Sequence, residues 1–100
     1  MTISKHYQYE RKKREIKIQK VGEGKVFRAF YFKEGKGGHA ETHLLSDTGV
    51  ITIINCVTQV IITKYIARPG QIKRYFTKTD PAPQFLIQLA YDHFVNGYTM

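Results

Sequence analysis

Two groups of side chains in this chain have the types and spacing that phosphodiester chemistry needs. The first is His39-Ala40-Glu41-Thr42-His43, in which His39, Glu41 and His43 alternate. On an extended backbone those three share one face. The second runs from Thr63 through Tyr65 and Arg68 to Lys73, Arg74 and Tyr75. Metal-free cleavage of RNA requires a base for the 2′-hydroxyl proton, an acid for the leaving 5′-oxygen, and cations for the phosphorane charge. The side chains that suit those roles are His6, His39, His43, Arg68, Lys73, Arg74, Tyr65 and Tyr75. Ile61, Thr63 and Tyr65 alternate onto one face of a strand, and Arg68 follows directly, placed at a strand end for a phosphate. His43 approaches Thr63 or Tyr65 if its own strand lies beside theirs. His43 is then the base or acid, Arg68 the phosphate holder, and Tyr65 and Thr63 the orienting groups. Each also has a plainer role: an ordinary strand histidine, a solvated arginine, tyrosines at the rim of a core.

Other chemistries fit poorly. His39 and His43 form an i, i+4 pair, which closes on zinc only when it lies on a helix. On a strand the two stand roughly 13 Å apart, at about 3.3 Å per residue. Gly37 and Gly38 before them and the β-branched run after them argue for the strand, so no metal is expected. Gly35-Lys36-Gly37-Gly38 lacks the Gly-Lys-Ser/Thr of a nucleotide-triphosphate loop, and no cofactor is expected. The single cysteine, Cys56, excludes an internal disulfide and an all-cysteine metal cage.

Charge supports a polyanion partner. Sixteen Lys and Arg against eight Asp and Glu leave a net charge of +8. The basic residues are clustered: one set precedes Gly37, the rest lie between Lys64 and Lys78, and the segment between has none. Such clustering makes a face for phosphates, with His6, Arg11, Lys12, Arg14, Lys73, Arg74 and Tyr75 as its expected contacts. RNA is the expected partner and DNA the second choice.

The elements that must position these groups follow from patterning. Residues 50–54 and 60–66 are the two strongly apolar, β-branched runs, and a turn between them predicts an antiparallel hairpin. Asp47-Thr48-Gly49 predicts a further turn ahead of them, and residues 39–45 the strand that enters it. Residues 26–32 read as an aromatic strand. Residues 2–15 read as a surface helix capped by Ser4 with Ile3, Tyr7 and Tyr9 towards a core, and the alternation of Ile16 and Ile18 predicts a strand over 15–20. Pro69 starts a short helix. The terminal helix has Asp80 as cap, Pro81 as first residue and Gly97 as stop, with Phe85, Leu86, Leu89, Ala90, His93 and Phe94 as its apolar stripe. The expected architecture over residues 1–100 is a single α+β domain: an antiparallel β-sheet packed by an N-terminal helix, a short helix after the last strand and a C-terminal helix. No run reaches the length of a membrane span and no apolar leader begins the chain, so a cytoplasmic protein without a membrane partner is expected.

Two segments carry a resemblance. SKHYQYERKKRE, with Ser4, His6, Glu10, Arg11 and Arg14, resembles the Ser-x-His…Glu-Arg…Arg helix of small phage and mobile-element proteins, where it precedes a hairpin like HLLSDTGVITIIN–VIITKY. Residues 63–75, Thr-x-Tyr…Arg-Pro-x-Gln-x-Lys-Arg, are similar to a tail found in the barnase–EndoU–colicin–RelE-like ribonuclease superfamily. Two tyrosines interrupt the histidine helix, and residues 16–32 have no counterpart. The resemblance implies a toxin-like metal-independent endoribonuclease with an antitoxin or immunity partner. Two alternatives stay open: a non-catalytic nucleic-acid-binding module, and a structural or regulatory protein of a phage or mobile element.

Overall fold

The computed structural model describes residues 5–35 and 37–99, with the side chains of residues 5–10 left out. The order is α1 (Lys5–Val21), β1 (Val26–Phe32), β2 (Glu41–Ser46), β3 (Val50–Asn55), β4 (Val60–Ile66), α2 (Pro69–Lys73) and α3 (Gln84–Val95). The strands form one antiparallel meander in the order β1-β2-β3-β4. The α+β class, the three helices and the β3–β4 hairpin agree with the sequence reading.

The first helix corrects that reading. Residues 15–20 form no strand; α1 runs unbroken to Val21 and stops where the Gly22 N–H reaches back to the Ile18 carbonyl at 2.7 Å. Arg14, Ile18 and Val21 recur at helical spacing. Ile18 is buried against Val50 and Ile66, with Val21 and Tyr98 packed around it, while Ile16 points to solvent. The Lys, Arg, Glu and Gln around the two isoleucines favour a helix, and one buried isoleucine per turn suffices to anchor it. The proposed cap at Ser4 and the inward faces of Ile3, Tyr7 and Tyr9 lie outside the described residues or side chains.

The tight turn Asp47-Thr48-Gly49 joins β2 to β3, with Gly49 at φ +87° as a residue free of Cβ allows. At the β3–β4 tip, Asn55 Oδ1 accepts the N–H groups of Val57 and Thr58 at 2.8 and 3.2 Å, an Asx turn. Pairing runs Val50↔Ile66 to Ile53↔Thr63, then shifts to Ile54↔Ile61. Ile62 is therefore an extra residue, a bulge that breaks the strict alternation expected of Ile61, Thr63 and Tyr65. Thr63 and Tyr65 keep a common face; Ile61 leaves it.

The core lies between that face and the C-terminal helices. Leu45, Ile51, Ala67, Ile72, Leu86 and Ala90 are buried together, each large aliphatic side chain contributing about 1.5–3 kcal/mol. Leu86 and Ala90 form the inner line of the α3 stripe, whose outer members Phe85 and Phe94 are half exposed. Phe85 meets Phe27 edge-on at 5.7 Å. Asp80 does not cap α3. The N-cap is Pro83, without a side-chain cap bond, and Asp80 pairs instead with Arg28 at 2.6 Å. Ala82 precedes a proline, which disfavours helical backbone there and delays the helix past Pro83. Asn96 and Gly97 end it as expected. Among the described residues no helix is long and apolar enough to cross a membrane.

Candidate active site

Strand register assembles the site. Phe30↔His43, His43↔Ile53 and Ile53↔Thr63 form one row across the sheet, and Phe32↔Glu41 belongs to the next row on the same face. A parallel row carries Leu45↔Ile51 and Ile51↔Tyr65. His43 and Thr63 thus share a face although β3 lies between their strands. The chain leaving α2 then folds back across this face. Phe30 packs against Tyr75 at 4.9 Å and Phe76 at 5.5 Å, which fixes the Tyr75 ring over the sheet.

At the centre is a chain of hydrogen-bonding groups. Glu41 is buried. Its Oε1 lies 3.1 Å from His43 Nε2, and its Oε2 lies 3.3 Å from His39 Nε2. His43 Nδ1 lies 2.6 Å from the Tyr75 hydroxyl. An ionised carboxylate only accepts, so Nε2 of His43 carries a proton. Nδ1 then accepts from Tyr75 when the ring is neutral and donates to it when the ring is charged. Phe32 caps the imidazole with ring centroids 4.5 Å apart. Gly35 makes room for this arrangement: a Cβ there would overlap the Glu41 carboxylate.

Tyr65 and Tyr75 line the same groove, and each phenol shifts the titration of the other. Burial pushes the Tyr75 phenol well above its ordinary range, and neighbouring Tyr65 and the negative charge of Glu41 push in the same direction. Burial raises Tyr65 as well, opposed by the neighbouring Tyr75 hydroxyl and by the nearby charges of Arg14 and Arg74. The two phenols therefore differ in neighbourhood: Tyr75 faces the carboxylate end and Tyr65 the cationic end.

These groups line a groove of about 640 Å³ together with Arg14, Phe32, Ile53, Ile62, Thr63, Gln71 and Arg74. Arg14 Nη1 donates to Thr63 Oγ1 at 3.2 Å. Its Nε–H is buried without an acceptor among the described residues. A buried donor left unpaired is costly, and an anionic oxygen in the groove would satisfy it. Gln71 accepts the Arg68 N–H through Oε1 at 2.8 Å, which fixes its amide at the groove wall.

His43, Thr63, Tyr65, Tyr75, Arg14 and Arg74 are therefore brought together. Arg68 is not: its guanidinium lies over the Phe94 ring at 5.8 Å, at the start of α2. Arg11, Lys12 and Lys73 are exposed outside the groove, Arg11 facing Glu15 at 3.7 Å. The side chain of His6 lies outside the description. His93 holds the β2–β3 turn through the Thr48 carbonyl at 2.9 Å. Three groove residues, Glu41, Phe32 and Gln71, had no role in the sequence reading. Only Glu41 left a signal, its alternation with His39 and His43. Among the described residues no group of three or more His, Cys, Asp or Glu side chains could hold a metal ion. The chain matches no protein-family model, no curated protein and no solved structure.

Proposed function

We propose that the groove binds RNA and cleaves it without a metal, by attack of the 2′-oxygen on the adjacent phosphorus. One observation carries this reading: an imidazole backed by a buried carboxylate converges with two phenols and two guanidinium groups on one groove of nucleotide size. Arg14 and Arg74 hold the phosphate, taking the role that sequence order suggested for Arg68. Their fixed charge favours the phosphorane over the ground state. His43 and the phenols beside it supply the acid–base function, Thr63 orients the reacting group, and Phe32 offers a ring for a base to stack on. Arg11, Lys12 and Lys73 extend the cationic surface beyond the groove.

The resemblance of residues 63–75 to a tail of the barnase–EndoU–colicin–RelE-like superfamily points the same way, and on this reading the protein is a toxin-like cytoplasmic protein of a phage or mobile element with an antitoxin or immunity partner. A motif resemblance does not fix function. A non-catalytic RNA- or DNA-binding module is the second reading, and a specific feature favours it: both ring nitrogens of His43 are already engaged within the protein. Incubating RNA with the protein in a chelator and mapping the ends separates the two. Cyclic or 3′-phosphate termini support cleavage; intact RNA that remains bound supports the module.

A further inference from the structure

Both ring nitrogens of His43 are already engaged within the protein. Nε2 is held by Glu41 and Nδ1 by the Tyr75 hydroxyl, so a reacting oxygen meets phenols first. Tyr75 and Tyr65 line the same groove; Tyr65 shares a face of β4 with Thr63, which Arg14 bonds, and Arg74 lines the groove beside them. A phosphate seated on those arginines meets Tyr65, while Nδ1 of the imidazole stays bonded to the Tyr75 hydroxyl.

We infer that Tyr65 is the catalytic acid of this site, donating its proton to the leaving 5′-oxygen, and that Tyr75, His43 and Glu41 are positioning residues that resupply it. The inference rests on the ribonuclease reading above. With His43 charged, Nε2–H donates to Glu41 and Nδ1–H to the Tyr75 oxygen; Tyr75 donates to Tyr65, and Tyr65 to the substrate. As the O2′–P bond forms and the P–O5′ bond breaks, the 2′-proton passes to water and the Tyr65 proton to O5′. Tyr75 then reprotonates Tyr65, and His43 reprotonates Tyr75. The products are a 2′,3′-cyclic phosphate and a 5′-hydroxyl, and the imidazole regains its proton from solvent. Both raised phenols stay protonated in the resting site, as donors must. The arginines beside Tyr65 stabilise the phenolate character that it acquires during transfer. Glu41, which also meets His39 at 3.3 Å, holds the charged imidazole in place.

An RNA with sulfur in place of the scissile 5′-oxygen tests this, because a thiolate departs without an acid. Cleavage of the oxygen and sulfur substrates is measured in a chelator for wild type, Tyr65→Phe, Tyr75→Phe and His43→Asn. Tyr65→Phe should slow the oxygen substrate by about 10²-fold or more, the usual weight of acid catalysis, and leave the sulfur substrate within about threefold of wild type. Tyr75→Phe and His43→Asn should show the same asymmetry to a smaller degree. Retained cleavage of the sulfur substrate also shows that each variant's groove is assembled. Equal losses on both substrates, or no loss for Tyr65→Phe, overturn the assignment while the ribonuclease reading stands. Failure of wild type to cut either substrate overturns that reading and the assignment with it.

Discussion

His43 Nδ1 and the Tyr75 hydroxyl lie 2.6 Å apart although 32 positions separate them in the chain. One belongs to the second strand, the other to the segment that leaves α2. Their bond closes the groove at one side and ties the C-terminal half of the chain to the sheet. It joins the stability of the site to its chemistry.

Removing that bond tests the first half of the statement. Tyr75→Phe keeps the ring packed on Phe30 and deprives His43 Nδ1 of its partner. Leaving a partly buried ring nitrogen unsatisfied costs about 1–3 kcal/mol. Urea unfolding of the variant should show that loss with an unchanged slope. Stability equal to wild type would mean that the Nδ1–hydroxyl bond contributes nothing to the fold.

The two phenols also set an alkaline limit. Both titrate above the ordinary 10.0 of tyrosine in the folded protein, chiefly through burial. The folded state therefore binds their protons more tightly than the unfolded chain does. The resulting stabilisation is complete below pH 10 and is lost as pH climbs through the folded values. Wild type should lose stability on passing from pH 9 to pH 11 faster than Tyr65→Phe/Tyr75→Phe, measured by denaturant midpoints. Parallel losses would remove the two phenols as the cause.

Salt dependence reports on the cationic surface. Each phosphate neutralised on a single strand adds about −0.7 to the slope of log affinity against log salt. Arg74→Ala should weaken binding of a short RNA and flatten that slope by about this amount. A slope near zero for wild type would contradict RNA binding through phosphates.

Much of the fold was legible because strands 50–54 and 60–66, the α3 stripe and the turns at Gly49 and Gly97 are encoded by local pattern. The misread places are those where tertiary contacts choose between local options. Ile16 and Ile18 alternate as in a strand, yet only Ile18 finds a buried partner, and a helix satisfies that. Asp80 precedes a proline like a helix cap, but Arg28, distant in sequence, takes it as a partner. For the site, alternation placed His39, Glu41 and His43 together, and Thr63 with Tyr65. No local pattern could bring Arg14 to Thr63 or Tyr75 to His43, since both depend on how the ends of the chain fold across the sheet. Arg68 illustrates the converse: Arg-Pro-Gly marks a helix start in sequence and structure alike, but the side chain turns to Phe94 and away from the groove.

The most direct measurement compares the arginines. Labelled RNA is incubated in a chelator with wild type, Arg68→Ala, and Arg14→Ala/Arg74→Ala, each confirmed as folded, and initial cleavage rates and end groups are recorded. The groove account predicts cyclic or 3′-phosphate ends from wild type and a rate for Arg68→Ala within a few-fold of it. Loss of the groove arginines should cost about 10²-fold or more, the scale of losing transition-state charge stabilisation. Uncut RNA from folded wild type, or equal cleavage by Arg14→Ala/Arg74→Ala, would contradict the account.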